Sequence, residues 1–137
     1  VRHDLPLKLL VINNGMLNQI AWEQMMFLGN PQFACELAPI DFARAAESMG
    51  ARGFTIETYE QIDSVLDEAF SIDGPVVIEA KVDRYEPMLP PVLPGDYARN
   101  LAEALPQTPG NAHIRQNIED SPLVHAGQLE KSLEEKD

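Results

Sequence analysis

Apolar positions along the first eighty residues alternate between a strand rhythm and a helical one. Lys8 to Ile12 is a short run, β-branched at its end, with apolar side chains on both faces. That pattern predicts a parallel strand covered by helices on each side. Asn13-Asn14-Gly15 stops it, and a helical pattern follows from Leu17 to Leu28, with Leu17, Ile20, Ala21 and Phe27 or Leu28 as its expected buried side. Gly29-Asn30-Pro31 ends that helix, and 31–40 reads as a loop. Asp41 caps a second helix, whose apolar stripe is Phe42, Ala45, Ala46 and Met49, and Gly50 stops it. Phe54 to Ile56 reads as a strand. Thr58-Tyr59-Glu60-Gln61 is a capping box opening a third helix with the stripe Ile62, Val65, Leu66 and Ala69. Asp73-Gly74-Pro75 turns into a last strand, Val76 to Val82. The order β-α-α-β-α-β implies an α/β fold with a parallel sheet.

After Asp83 the rhythm is lost. Seven of the 11 prolines fall between Pro87 and Pro122. The run from Pro87 to Pro94 excludes helix and central strand and predicts extended surface chain. Asp96 to Leu105 reads as a short helix with Tyr97, Leu101 and Leu105 on one face. From Pro106 onward poor order is expected, with a frayed helix near Gln128 to Lys136. The division expected is therefore 1–94 for the α/β part and 95–137 for an extended, partly helical or disordered tail.

Composition narrows the function. The chain of 137 residues is 45% apolar and 23% charged, ordinary for one globular domain. Its formal charge of −12 argues against a nucleic-acid surface and against charge-driven membrane binding. The final stretch from Gln128 has only Leu129 and Leu133 as apolar anchors and more acids than lysines, so membrane docking is not expected. The single cysteine, Cys35, excludes an internal disulfide and fits a reducing, cytoplasmic setting. His3, His113 and His125 have no metal-ligand spacing.

The candidate chemistry sits where the first strand ends. In α/β sheets ligands bind beyond the carboxyl ends of strands. Asparagine offers a neutral oxygen suited to a hard cation such as Mg²⁺. Gly15 lets the backbone approach a ligand, so the Met16 carbonyl is a second candidate oxygen. The following helix would point N–H groups at an anion. Asn-Asn-Gly is also ordinary turn chemistry, and the tripeptide alone leaves both readings open.

The run from Leu5 to Gln24, with Ile12-Asn13-Asn14-Gly15-Met16 at its centre, resembles the end of the thiamine diphosphate-binding motif of the pyruvate oxidase, acetolactate synthase and pyruvate decarboxylase family. The resemblance continues through Asp41-Phe42-Ala43, Met49 to Gly53 and Asp73 to Glu79, reaches Pro90-Pro91 and fades after Pro94. The Gly-Asp-Gly that opens the family motif is absent from this sequence.

The resemblance implies the C-terminal part of a doubly wound, thiamine diphosphate-binding domain. It implies cofactor contacts at Asn13, Asn14, Gly15 and Met16, with Asn14 and the Met16 carbonyl as Mg²⁺ ligands. Ile20 takes the place of a bulky aliphatic residue beside the cofactor's reactive ring. Glu23 takes the place of a glutamate facing the keto acid in pyruvate oxidases, where acetolactate synthases have tryptophan. Gln19 departs from the aromatic residue expected in the oxidases. The activity implied is decarboxylation of a 2-keto acid such as pyruvate, with oxidation through FAD to a quinone or oxygen, in a homo-oligomer when complete. A carboligase of the acetolactate synthase kind and a non-catalytic module that keeps the fold are the alternatives. The 137 residues alone are expected to be inactive.

Overall fold

The computed structural model describes residues 1–3, 5–89 and 93–121. They divide into two compact units, one of Val1–Gly15 with Ala38–Asp83 and the other of Met16–Leu37 with the residues from Arg84 onward.

The first unit is the α/β part. Strands β1 (Lys8–Asn13), β2 (Arg52–Ile56) and β3 (Val76–Lys81) form a parallel sheet in the order β1-β3-β2. Helix α2 (Phe42–Ser48) precedes β2, and α3 (Ile62–Ser71) lies between β2 and β3. Alternation along β3 assigns its two faces. Val76 and Ile78 join Ile56 and Ala69 in a buried cluster, packed by Ile62, Val65 and Leu66 of α3, so the expected α3 stripe holds. Glu79 points to the other face, where its carboxylate meets the first turn of α2. The capping box Thr58–Gln61 is present, and it opens a single 3-10 turn, Tyr59–Gln61, that runs into α3. Lys8 fastens the turn before β3 by donating to the Ile72 and Gly74 carbonyls, both at 2.8 Å.

Two expectations for this unit are corrected. β1 was expected to be covered on both faces, yet Leu10 is 56% and Ile12 61% exposed. Among the described strands β1 pairs with β3 alone, and α2 and α3 pack over β2 and β3. The α2 stripe is also shifted. Ala43 and Ala46 are buried, while Met49 is 68% exposed. Close approach explains the choice of alanine. Gly53 of β2 lies so near the Ala43 backbone that larger inward side chains have no room.

The second unit is helical. α1 (Asn18–Leu28), α4 (Gly95–Ala104) and α5 (Asn111–Asp120) enclose a cluster of Trp22, Met25, Met26, Leu101, Leu105, Ile114 and Ile118. Its composition corrects the expected buried side of α1. Ala21, Trp22, Met25 and Met26 are buried, whereas Leu17, Ile20, Phe27 and Leu28 are exposed. It also corrects the expected poor order after Pro106. Residues 111–120 are helical, and Ile114 is 0% exposed. The buried face of α1 is the one that receives α4 and α5, and a reading that left α5 out could not locate it. The frayed helix expected near Gln128 lies outside the described residues, as do Pro90 and Pro91.

Candidate functional site

The turn after β1 belongs to the first unit. Asn13 ends the strand, and its side-chain Oδ1 accepts from the Gly15 N–H at 3.0 Å, closing a turn around Asn14. Gly15 adopts φ +68, the left-handed conformation that glycine takes without strain, and open space lies where its Cβ would be. The Asn13 Nδ2 donates to Glu79 Oε1 at 2.6 Å and to the Ile40 carbonyl at 3.3 Å. Asn14 is half-buried at the crest of this turn.

Glu79 is the residue that reading the sequence passed over. It was legible only as part of a matching stretch, Asp73 to Glu79. It is 0% exposed on the middle strand. Its Oε2 accepts from the N–H groups of Phe42 at 3.1 Å and Ala43 at 3.4 Å, and its Oε1 takes the Asn13 amide. Asp41 Oδ1 completes the first turn of α2 by accepting from the Arg44 N–H at 2.8 Å.

The remaining candidates belong to the second unit. Met16 is buried beside Ala21 and Cys35 and forms a bridge with Glu36. Leu17 heads α1 with no side-chain cap, and no acidic residue stands in the first turn. Asn18 donates through Nδ2 to the Glu86 carbonyl at 3.2 Å. Its buried Oδ1 has no hydrogen-bond partner, the one such side-chain atom among the described residues. An unsatisfied buried acceptor is costly and calls for a donor from water or ligand.

Further along α1, Gln19, Trp22, Glu23 and Met26 fall on one face and line an open groove of about 620 Å³, closed opposite by Met88, Leu89 and Tyr97. Gln19 donates to Glu23 Oε1 at 3.1 Å. Glu23 is thus a carboxylate on the wall of a largely apolar groove. Ile20 is 46% exposed and is not among the groove's lining residues. Trp22 is a core residue of this unit. Cys35 is buried, with its Sγ near Gln24 Oε1 and the Phe33 carbonyl, and is not read as a nucleophile. Among the described residues no group of three or more His, Cys, Asp or Glu could hold a metal, and no helix is long and apolar enough to cross a membrane.

Residues 1–80 match the family described as "Thiamine pyrophosphate enzyme, C-terminal TPP binding domain". Over 98 residues the chain is 36% identical to the mitochondrial acetolactate synthase catalytic subunit of Saccharomyces cerevisiae, covering 69% of this chain and 14% of that protein. Over 133 residues it is 34% identical to the putative thiamine pyrophosphate-containing protein YdaP of Bacillus subtilis, covering 97% of this chain and 21% of that protein. Over 105 residues it is 29% identical to the acetolactate synthase isozyme 2 large subunit of Escherichia coli, covering 76% and 19%. The chain therefore spans about a fifth or less of the length of these curated relatives.

Proposed function

The chain belongs to the thiamine pyrophosphate enzyme family, and from that premise we propose that it supplies the metal-binding end of the cofactor site in an enzyme that decarboxylates a 2-keto acid. The observation that carries this reading is the turn closed by Asn13 Oδ1 and the Gly15 N–H at the carboxyl end of β1. The residues present fit the cofactor. Asn14 and the Met16 carbonyl are neutral oxygen donors of the kind that would suit a Mg²⁺ bound together with the cofactor. The left-handed Gly15 leaves open space on its Cβ side. An α1 start free of acidic residues suits an anion. The assignment of Asn14 and Met16 as ligands rests on the spacing of the motif.

Thiamine diphosphate, when bound, supplies the carbon nucleophile for the keto carbon and the electron sink for loss of CO₂. This chain's part is to hold the metal through Asn14 and Met16, with Asn13 and Gly15 shaping the turn. By the resemblance, Glu23, on the groove wall, would face the keto acid, and Ile20 would lie beside the cofactor's reactive ring. The complete protein is a homo-oligomer in this reading.

Two fates of the decarboxylated product compete. Glu23 supports the oxidase branch, with electrons leaving through FAD to a quinone or oxygen; no residue of this chain is assigned to the flavin. The names of the relatives support the second reading, a carboligase, because most of those similar to this chain are acetolactate synthases.

Product analysis of the full-length protein with pyruvate, thiamine diphosphate and Mg²⁺ decides between them. Acetate or acetyl phosphate with reduction of an acceptor establishes the oxidase. Acetolactate establishes the carboligase. No cofactor-dependent release of CO₂ from any 2-keto acid tested overturns the enzymatic reading and leaves a non-catalytic module.

A further inference from the structure

We infer that Glu79 is a positioning residue of the metal site: its buried carboxylate holds the Asn13 amide, and through it the turn that presents Asn14. The inference rests on the reading that Asn14 carries the metal. A carboxylate on the middle strand of a sheet is expensive to bury unless its oxygens are fully engaged. Those of Glu79 are engaged by three N–H donors. The strand register places the pair. Val11 is opposite Glu79 and Asn13 opposite Lys81, so Asn13 and Glu79 rise from the same face two positions apart.

The hydrogen bonds form one line. The α2 backbone N–H groups of Phe42 and Ala43 donate to Glu79 Oε2, Asn13 Nδ2 donates to Glu79 Oε1, and the Gly15 N–H donates to Asn13 Oδ1. The carboxylate accepts only, so it compels the Asn13 amide to turn its nitrogen inward and its oxygen towards Gly15. Both ends of the Asn14 turn are thereby tied to the sheet and α2. With both of its polar atoms committed, Asn13 shapes the turn that carries Asn14.

A reciprocal exchange of side chains tests this in the full-length protein. Glu79→Gln places an amide NH₂ against the N–H donors of Asn13 or of α2. Asn13→Asp places a second carboxylate against Glu79. Combined, the two substitutions restore complementarity between positions 13 and 79 with donor and acceptor exchanged, because the amide at 79 donates to the carboxylate at 13 and keeps its oxygen for α2, and only the longer bond to the Ile40 carbonyl is lost. Two quantities are measured: thiamine diphosphate affinity at fixed Mg²⁺, by titration calorimetry, and hydrogen exchange across residues 13–16 without cofactor. Each single substitution is expected to weaken binding by about tenfold or more and to speed exchange. The double variant is expected to return to within about threefold of the starting protein on both measures.

A double variant no better than the worse single one overturns the inference, as do single variants whose exchange at 13–16 is unchanged. If Glu79→Gln does not fold, Asn13→Ala at a half-buried position carries the test, and cofactor affinity unchanged by it refutes the inference. A starting protein that binds no thiamine diphosphate refutes the proposed function and the metal role together, and the exchange measurement still decides whether Glu79 holds the turn.

Discussion

Asn100 of α4 donates its side-chain amide to the Met26 carbonyl of α1 at 2.9 Å and to that of Phe27 at 3.3 Å. The last carbonyls of a helix have no partner within it, and here a neighbouring helix supplies one. Gly29 completes the same end. Its left-handed backbone lets its N–H reach the Met25 carbonyl and that of Asn30 reach Gln24, and its missing Cβ would lie 3.7 Å from Asn100. Asn100→Ala is expected to lower the stability of the helical unit by about 1 kcal/mol. Chemical denaturation followed by Trp22 fluorescence measures it, and an unchanged midpoint would show that water replaces the amide at no cost.

The place of α5 in the same unit is tested by truncating its innermost side chain. Ile114 is fully buried against a cluster that includes Trp22 and Leu101. Ile114→Ala is expected to cost about 2–5 kcal/mol, the range for a buried aliphatic cut to its Cβ. A loss under about 0.5 kcal/mol, the size of surface effects, would mean that α5 adds no core.

Strong periodicity made the α/β unit readable. The α3 stripe and β3 were legible because each buries a face set by its own spacing, and the capping box and β1 because turn residues mark their ends. In the helical unit α1 and α4 were legible as helices, and α5 was not. Pro106 and Pro109 signalled irregular chain, yet Pro106 sits in a short 3-10 turn that leads to α5, where only Ile114 and Ile118 are buried. Two apolar residues in a polar helix are a faint signal until α1 and α4 are in place around them. In the site, Asn13 and Asn14 were legible as a motif. The hydrogen bonding of Asn13 was not, because its partner Glu79 lies 66 positions away.

Gly53→Ala tests the approach of α2 to β2. A Cβ at this position would stand 2.3 Å from the Ala43 carbonyl oxygen and 2.7 Å from its carbon, both backbone atoms that cannot rotate away. α2 must then move off the sheet, and a destabilisation of about 3 kcal/mol, at the upper end for overpacking, is expected. A circular dichroism melt superimposable on that of the starting chain would show that α2 yields freely.

Lys81 and Glu57 make an exposed ion pair at 3.0 Å. The hydrogen bond that the Lys81 ammonium donates to Glu57, and then the charge of Glu57, hold that ammonium above the ordinary lysine value. A pKa raised by folding stabilises the native state below the unfolded value, and that contribution is lost as pH rises through the folded one. The window is therefore alkaline, and exposure keeps the energy small. NMR titration should find Lys81 losing its proton above the ordinary lysine range, with Glu57→Gln returning it to that range. Coincident titration of Lys81 before and after that substitution would refute the pairing.

The division of labour between Asn14 and Glu23 is the sharpest test of the proposed site in the full-length protein. Asn14 stands at the crest of the turn after β1. Glu23 lies on the wall of the groove along α1 with Gln19 as its hydrogen-bond partner. If Asn14 carries the metal as proposed, Asn14→Ala removes one of its neutral oxygen ligands, so cofactor affinity at fixed Mg²⁺ should fall by about tenfold or more and recover in part as Mg²⁺ is raised. Glu23→Gln keeps the shape of the groove wall and removes the charge. Turnover should fall by about a hundredfold or more if the carboxylate moves a proton on the substrate, with cofactor affinity unchanged. The pair separates binding from chemistry because one substitution responds to Mg²⁺ and the other does not. Equal losses of cofactor affinity in both variants would place Glu23 at the metal or Asn14 away from it, and either result would end this assignment.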